Sequence, residues 1–330
     1  MATVANGYPA HPGPTADLDS HLLATLRWST QTGATLSHLS REFNTNADRV
    51  LDMSLPYEST PPLSRRLTFD KTISSKNHQG IVMVAHCLSP KDDLSPHKSK
   101  VKLSSGFVVG DGLIVTCAHT FEEVGPAWHN PINLMGNGDA LSGSFVVSSR
   151  AGSQRGYDIY PVKTIPSCIP RSDVLLLEVF QPDTKLELPK LRSLPVSPYP
   201  VHKDTRVRAH FVANSRGPLL SLGQHSWAPW MGSAGVYRAW AECMVRGYRD
   251  FTGREAHPGT YDALNHMMFT PLPTSGSSGG PIVDENTGAV VGMVLGSQVD
   301  GSRVDGIRGW GVPAEVIFEM FNLPGLEGKK

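Results

Sequence analysis

The sequence predicts a mostly β chain, and three observations carry that prediction. Glycine and proline are plentiful, 32 and 26 of 330 residues, which suits a turn-rich fold. Short apolar runs of strand length recur from Gly80 onward, each bounded by turn residues, as in Ile81–Ala85, Leu113–Thr116 and Ala289–Leu295. Helical spacing of apolar residues is confined to the first fifty or so positions and to the far end of the chain.

Residues 1–16 are small, polar and proline-bearing and read as disordered. Asp17 to Trp28 reads as a helix, with Leu22, Leu23, Leu26 and Leu18 at helical spacing and Asp17 or Asp19 as its cap. A second helix runs through Leu36, Leu39 and Phe43, and a third, Ala47 to Met53, is expected after an Asn46 cap. Pro56, Pro61 and Pro62 then break regularity ahead of the basic pair Arg65-Arg66. Residues 1–79 are therefore read as an N-terminal extension that packs on the domain, with a regulatory or partner-binding arm as the alternative.

The β-rich part opens with the Ile81–Ala85 strand. Val101–Leu103 and Gly106–Val109 follow as strands, and Gly110-Asp111-Gly112 turns the chain into Leu113–Thr116, the Asp-Gly pair being a strong hairpin signal. His119 stands at the end of that hairpin. Ser144–Ser148 and Ile159–Ile165 are further strands, and Asp173 opens the apolar strand Val174–Leu177. Leu186 to Tyr199, rich in proline, looks like a connection between two barrels. Arg206–Val212 alternates as a strand should. Trp227, Trp230, Tyr237 and Trp240 cluster in the 226–259 region, which reads as aromatic core packing under a loop or as a contact surface. Ala263–Thr270 leads into Pro273-Thr274-Ser275-Gly276-Ser277-Ser278-Gly279-Gly280-Pro281, a loop too glycine-rich for a helix or strand, and this loop delivers the hairpin of Ile282–Asp284 and Ala289–Leu295. A serine held there can present its hydroxyl while backbone N–H groups converge on one point.

The Gly276–Pro281 stretch resembles the nucleophile loop of the trypsin-fold, chymotrypsin-clan serine peptidases, closest to HtrA/Deg-type domains without PDZ. Ser105-Gly106-Phe107 leading to Thr116, Ala118 and His119 resembles that family's histidine hairpin, and Ser172-Asp173 before an apolar strand resembles the way it presents its acid. The resemblance covers roughly residues 80–322. It implies two six-stranded antiparallel β-barrels, about 80–185 and 200–312, a closing helix at 313–322 that includes Ala314–Phe321, and a tail at 323–330; no PDZ module is expected after it. It also implies a serine endopeptidase with His119, Asp173 and Ser278 as catalytic residues, the N–H groups of Gly276 and Ser278 as oxyanion donors, and Leu272, Gly296 and Ser297 at the S1 pocket. An apolar floor at Leu272 argues for small or medium apolar P1 residues. Ser277 occupies the place where secreted relatives carry an acid that pairs with a freed N-terminus, so a chain competent without processing is expected. The alternative is a catalytically silent, peptidase-like binding or regulatory module. His210, His225, Asp158 and Asp183 are rivals to the proposed histidine and acid without comparable local context. The order His, Asp, Ser, with no histidine after Ser278, excludes the Gly-x-Ser-x-Gly hydrolase arrangement.

Net formal charge is zero, so bulk electrostatics suggest neither nucleic acid nor an anionic membrane as partner; polypeptide substrates are the expected partners, and neither metal nor cofactor is implied. No apolar run approaches membrane-spanning length and no secretory signal is read at the start. Cys87, Cys117, Cys168 and Cys243 lack metal-ligand spacing, Thr120 stands where secreted relatives have a disulfide cysteine, and no Asn-x-Ser/Thr acceptor occurs, so an intracellular setting is expected.

Overall fold

The computed structural model describes residues 16–29, 33–69, 80–91, 98–124, 140–150, 156–180, 191–214, 227–231, 235–299 and 307–328. The expectations for residues 1–15, Asp183 and His225 fall outside these. Two closed six-stranded antiparallel barrels dominate. The first is built from β2 (Ile81–Pro90), β3 (Lys100–Gly110), β4 (Leu113–Cys117), β5 (Ala140–Ser149), β6 (Tyr157–Ile169) and β7 (Val174–Val179), closing in the order β2-β3-β4-β7-β6-β5. The two strands expected at 101–103 and 106–109 are one continuous β3. The second is built from β8 (Arg206–Asn214), β10 (Val236–Arg249), β12 (His266–Thr270), β13 (Pro281–Asp284), β14 (Val290–Val299) and β15 (Ile307–Pro313), and the β8–β10 pairing closes it. Two short strands, β9 (Ala228–Pro229) and β11 (Glu255–Ala256), pair with β10, so most of the tryptophan-bearing region is barrel wall rather than an insert.

Alternation explains the second core. Along β10, Ala239, Ala241, Cys243 and Val245 are buried while Glu242 is exposed, and Ala241, Cys243 and Val245 pack with Val207, Ala209, Phe211, Phe269, Ile282 and Val294. The first core is filled by residues of continuous apolar strands such as Phe107, Val115, Phe145 and Leu176.

The extension is part of this packing. Helix α1 (Ala16–Ser29) buries Leu18, Leu22, Leu23 and Leu26 against the core that contains Met83 and Phe145; burial of each such leucine is worth roughly 1.5–3 kcal/mol. Asp19 is no cap: it lies within the helix, 9% exposed, and burial pushes its carboxyl up to about 7. Helix α2 (Leu36–Thr45) is capped by Thr35, whose hydroxyl accepts from His38 N, and buries Leu36, Leu39 and Phe43. Glu42 stitches it to β6 by accepting from Thr164 Oγ1 at 2.7 Å and from Ile165 N at 2.9 Å.

Two helical expectations are corrected. Asn46 caps the end of α2, its N–H donating to Glu42 O and its Nδ2 to Ile165 O, and Asp48 takes a left-handed φ of 57°. The chain then forms strand β1 (Leu51–Ser54) rather than a third helix, because it pairs in parallel with β16 (Phe321–Asn322). The same pairing ends the closing helix early: α4 spans only Glu315–Phe318, and Phe321 belongs to β16. Tertiary pairing with a partner 270 residues away overrides local periodicity at both ends.

Residues 55–69 then cross to the second barrel. Leu67 N donates to Gly288 O, and a Cβ on Gly288 would lie 2.8 Å from Leu67 O, so only glycine lets the segments close. Arg65 is engaged by a two-pronged bond to Glu58, and Arg66 donates to Pro61 O. The proline-rich connector binds both barrels, Leu194 N donating to Val108 O and Ser197 N to Val290 O.

Candidate active site

Strand β4 ends at Cys117, and the short helix α3 (His119–Glu122) begins immediately. On the neighbouring β7, the chain approaches through a 3₁₀ turn, Pro170–Ser172, and leaves it at Asp173 with φ 59° and ψ 35°. Aspartate tolerates that left-handed conformation better than most residues. The turn brings the carboxylate under the end of β4. Asp173 Oδ1 accepts from His119 N at 2.7 Å and Oδ2 meets His119 Nδ1 at 2.6 Å, while Ala118 N donates to Asp173 O. The carboxylate thus fixes both the backbone and the ring of His119 and sets Nδ1–H as the donor, which leaves Nε2 as the acceptor. Burial is the largest influence on His119 and disfavours the imidazolium. The Cys117 sulfur and the Asp173 carboxylate together outweigh it and hold the imidazole above its ordinary range.

Further side chains hold this pair in place. Ser172, fully buried, donates to Asn265 Oδ1 at 2.8 Å, tying the acid's turn to the entry of β12 in the other barrel. Phe121 packs on Phe43 of α2, with ring centroids 5.7 Å apart, so the extension buttresses the segment that carries His119. Sequence reading missed Asn265 and Phe43 as supports, because both act across long separations with no local signature.

The serine loop is clamped from three strands. From β3, Ser105 N donates to Ser278 O at 2.7 Å and Ser105 Oγ to Gly276 O at 2.8 Å. A Cβ on Gly279 would lie 2.0 Å from Ser105 O and 2.6 Å from Thr116 Oγ1, which makes glycine obligatory where the loop docks on the first barrel. From β14, Val294 O accepts from Gly279 N and Val294 N donates to Gly280 O. From β8, Val212 N donates to Ser277 Oγ at 3.0 Å and Val212 O accepts from Thr274 Oγ1 at 2.7 Å, with the two hydroxyls 2.8 Å apart. Ser277 is fully buried in this neutral ring of hydrogen bonds. Clamped in this way, Gly276 takes φ 85°, and among the described residues the N–H groups of Gly276 and Ser278 donate to no protein acceptor. Two unspent donors, two residues apart in the loop that carries the serine hydroxyl, suit a developing oxyanion.

The Ser278 hydroxyl donates to Leu295 O at 2.9 Å, and among the described residues no hydrogen bond joins it to His119. The structure therefore pairs His119 with Asp173 at the ends of β4 and β7 and docks the Ser278 loop on β3 and β4, with the hydroxyl in a rotamer turned to β14. Catalytic hydrogen bonds are often unmade in unliganded sites.

Of the expected S1 residues, Leu272 is 37% exposed in the loop after β12, while Gly296 and Ser297 lie on β14 opposite Trp310 and Gly309. Gly296 has φ 152° and open space where a side chain would stand. The rivals have other roles: Asp158 pairs with Arg150, and His210 is buried on β8 between the rings of Trp230 and Trp240. All four cysteines are buried and free. Among the described residues no helix is long and apolar enough to cross a membrane, and no cluster of three or more His, Cys, Asp or Glu could hold a metal ion.

No curated protein sequence matches the chain. Among solved structures it is similar to the active form of the Rv3671c protease from M. tuberculosis, at 19% identity over 81% of this chain and 88% of that one with a TM-score of 0.42. It is also similar to the MamO protease domain from Magnetospirillum magneticum, at 17% identity over 71% and 93% of the two chains with a TM-score of 0.39. The sequence profile of the trypsin-like peptidase domain matches residues 104–293, more than half of the chain, a span that runs from β3 through the serine loop into β14. By that match the chain belongs to the trypsin-like peptidase family.

Proposed function

We propose that the protein is a serine endopeptidase that hydrolyses peptide bonds through His119, Asp173 and Ser278 and an acyl-enzyme intermediate. The observation that carries this reading is the two-pronged hold of Asp173 on His119, on the strand next to a serine loop with two unspent backbone donors. Rotation about the Ser278 Cα–Cβ bond redirects the hydroxyl from Leu295 O toward His119 Nε2. The imidazole then takes the proton as Oγ attacks the scissile carbonyl. Gly276 and Ser278 N–H groups stabilise the oxyanion. Imidazolium, steadied by Asp173, returns the proton to the leaving amine, and water repeats the sequence to release the acid product. Leu272, Gly296 and Ser297 bound an S1 site for small or medium apolar side chains.

One observation favours the alternative of a silent peptidase-like module: the Ser278 hydroxyl rests on Leu295 O rather than on the histidine. A fluorophosphonate probe separates the two. The full chain should label at a single site, and Ser278→Ala should remove labelling while leaving the heat-unfolding transition in place; a folded wild-type chain that does not label would refute the peptidase reading. Chain trimmed at residue 15 should label at the same rate as intact chain, because Ser277 is already satisfied by Val212 and Thr274.

Four buried, unpaired cysteines support an intracellular setting. Helices α1 and α2 use their apolar faces on the first barrel, so a regulatory partner of residues 1–79 would read their polar faces.

A further inference from the structure

Arg238 on β10 is a guanidinium with no counter-ion among the described residues. It is partly exposed, yet its Nη1 is shut off from water and bonds nothing, and among the described residues its side chain makes no hydrogen bond or ion pair. Arginine is rarely buried unless paired, because stripping water from a cation is costly. Burial lowers its pKa to about 10, so it remains charged at neutral pH. Its own strands supply no free acid: Glu242 is the one acidic residue on β8 and β10, and between Asp204 and Glu242 the chain contains no other Asp or Glu. Those two carboxylates are committed elsewhere, Asp204 to Arg246 at 3.6 Å and Glu242 to Arg208 at 2.9 Å.

Its position bears on the reaction. Arg238 is directly opposite Val212 in the β8–β10 ladder, and opposed residues share a face of the sheet. Val212 is the residue whose N–H and C=O hold Ser277 and Thr274, and its Cγ1 lies 3.9 Å from the point where a Cβ on Gly276 would be. The unpaired cation thus stands one cross-strand neighbour from the serine loop. It lies on the β8–β10 side, away from the β12–β14 side that carries Leu272, Gly296 and Ser297.

We propose that Arg238 is a specificity-determining residue that takes a carboxylate of the bound polypeptide close to the scissile bond, either an Asp or Glu side chain or a free C-terminus. The planar fork of a guanidinium matches a carboxylate in two parallel hydrogen bonds, and a partly dehydrated site strengthens them. The proposal rests on the peptidase reading for what the polypeptide is, but not for the charge it must carry.

The test is peptide binding to the full chain carrying Ser278→Ala, read by fluorescence anisotropy. One arm scans Asp and Glu against Asn and Gln through a neutral, end-blocked peptide; the other compares the free carboxylate of that peptide with its amide. One arm should bind about tenfold more tightly in its carboxylate form, with the preference fading as salt rises. Added Arg238→Gln should erase the preference and leave the neutral peptide's affinity unchanged, and Arg238→Lys should keep part of it. Equal binding of charged and neutral forms in both arms, or a preference that survives Arg238→Gln, would overturn the proposal. If Arg238→Gln does not fold, the wild-type preference and its reduction in Arg238→Lys decide. Probe labelling of the wild-type chain is scored separately: labelling without a carboxylate preference sinks only the role of Arg238, and a preference without labelling sinks only the peptidase reading.

Discussion

Ser277→Ala isolates what keeps the serine loop in shape. The hydroxyl is fully buried and closes a ring in which Val212 N–H donates to Ser277, Ser277 to Thr274, and Thr274 to Val212 O. Alanine leaves the Val212 N–H, on a residue 6% exposed, with no acceptor, and removes the bond to Thr274. An orphaned buried donor costs about 1–3 kcal/mol and a lost neutral bond about 1 kcal/mol more, so a total of roughly 2–4 kcal/mol is expected. If the ring orders the donors of Gly276 and Ser278, part of that cost falls on the transition state rather than on the fold. At about 1.4 kcal/mol per factor of ten, fluorophosphonate labelling should slow by roughly 10–100-fold. The assay is the second-order labelling rate, measured beside the heat-unfolding midpoint. Thr274→Val should produce a similar loss, and the double variant should cost less than the sum, since both remove one ring. A Ser277→Ala chain that melts lower but labels within about twofold of wild type would show that the ring supports only stability, and the reasoning would fail.

Asp173→Asn should slow labelling by up to about 10⁴-fold, as loss of the tautomer-setting carboxylate does in the template triad. The neighbouring sulfur and carboxylate hold His119 above its ordinary value of 6.5, so wild-type labelling should rise with pH at a midpoint above that value, and Asp173→Asn should move the midpoint down. A wild-type midpoint at or below it would contradict the geometry. For stability the sign is the same: the raised folded-state pKa adds stability fully present below the unfolded value and lost as pH climbs through the folded one. Gly279→Ala must push the loop from Ser105 by about an ångström and break its bonds to Ser278 O and Gly276 O; labelling should vanish even where circular dichroism reports a β fold. In a peptide library, cleavage should follow small or medium apolar residues, and cleavage after Arg would remove Leu272 from the S1 floor.

What the sequence made legible was local. Thr116 to His119 follows a hairpin whose Asp-Gly turn is self-announcing, Asp173 opens an apolar strand, and the glycines at 276, 279 and 280 mark a loop that side chains cannot fill; each signal spans fewer than ten residues. The misread elements had partners far along the chain. Leu51 pairs with Phe321, and Asn46 serves Ile165 rather than a following helix, so helical periodicity near residue 50 was outvoted by hydrogen bonds invisible in a short window. Ser105 stands in a legible motif, but its donations to Gly276 and Ser278, 171 residues away in the first case, leave no local trace there. Arg238 gave no signal, since its isolation is a property of the assembled strands.

The geometry also says which barrel controls the chemistry. His119 and Asp173 are carried by the first barrel, through β4, β7 and α3. Ser278 and its donors belong to the second in sequence, yet the loop also docks on the first, where Ser105 N donates to Ser278 O and Gly279 leaves no room for a side chain against Ser105 O and the Thr116 hydroxyl. The pair and the loop meet only if the seam between barrels is set within about half an ångström, and among the described residues few bonds set it: Ser105 to Gly276 and Ser278, Ser172 to Asn265, the connector at Leu194 and Ser197, and the exposed pair of Arg171 with Glu319. Each neutral bond is worth about 1 kcal/mol and an exposed ion pair no more, small against the burial that holds either barrel together. A change at the seam should therefore be read in rate before it is read in melting temperature. Asn265→Ala is the cleanest case, since it orphans the buried Ser172 hydroxyl beside Asp173 without touching a reacting atom. Labelling should fall about tenfold, while the orphaned hydroxyl, at about 1–3 kcal/mol, lowers the unfolding midpoint by only several degrees; an unchanged labelling rate beside that lower midpoint would mean that the seam is merely packed, and that the two halves of the site are aligned by something else.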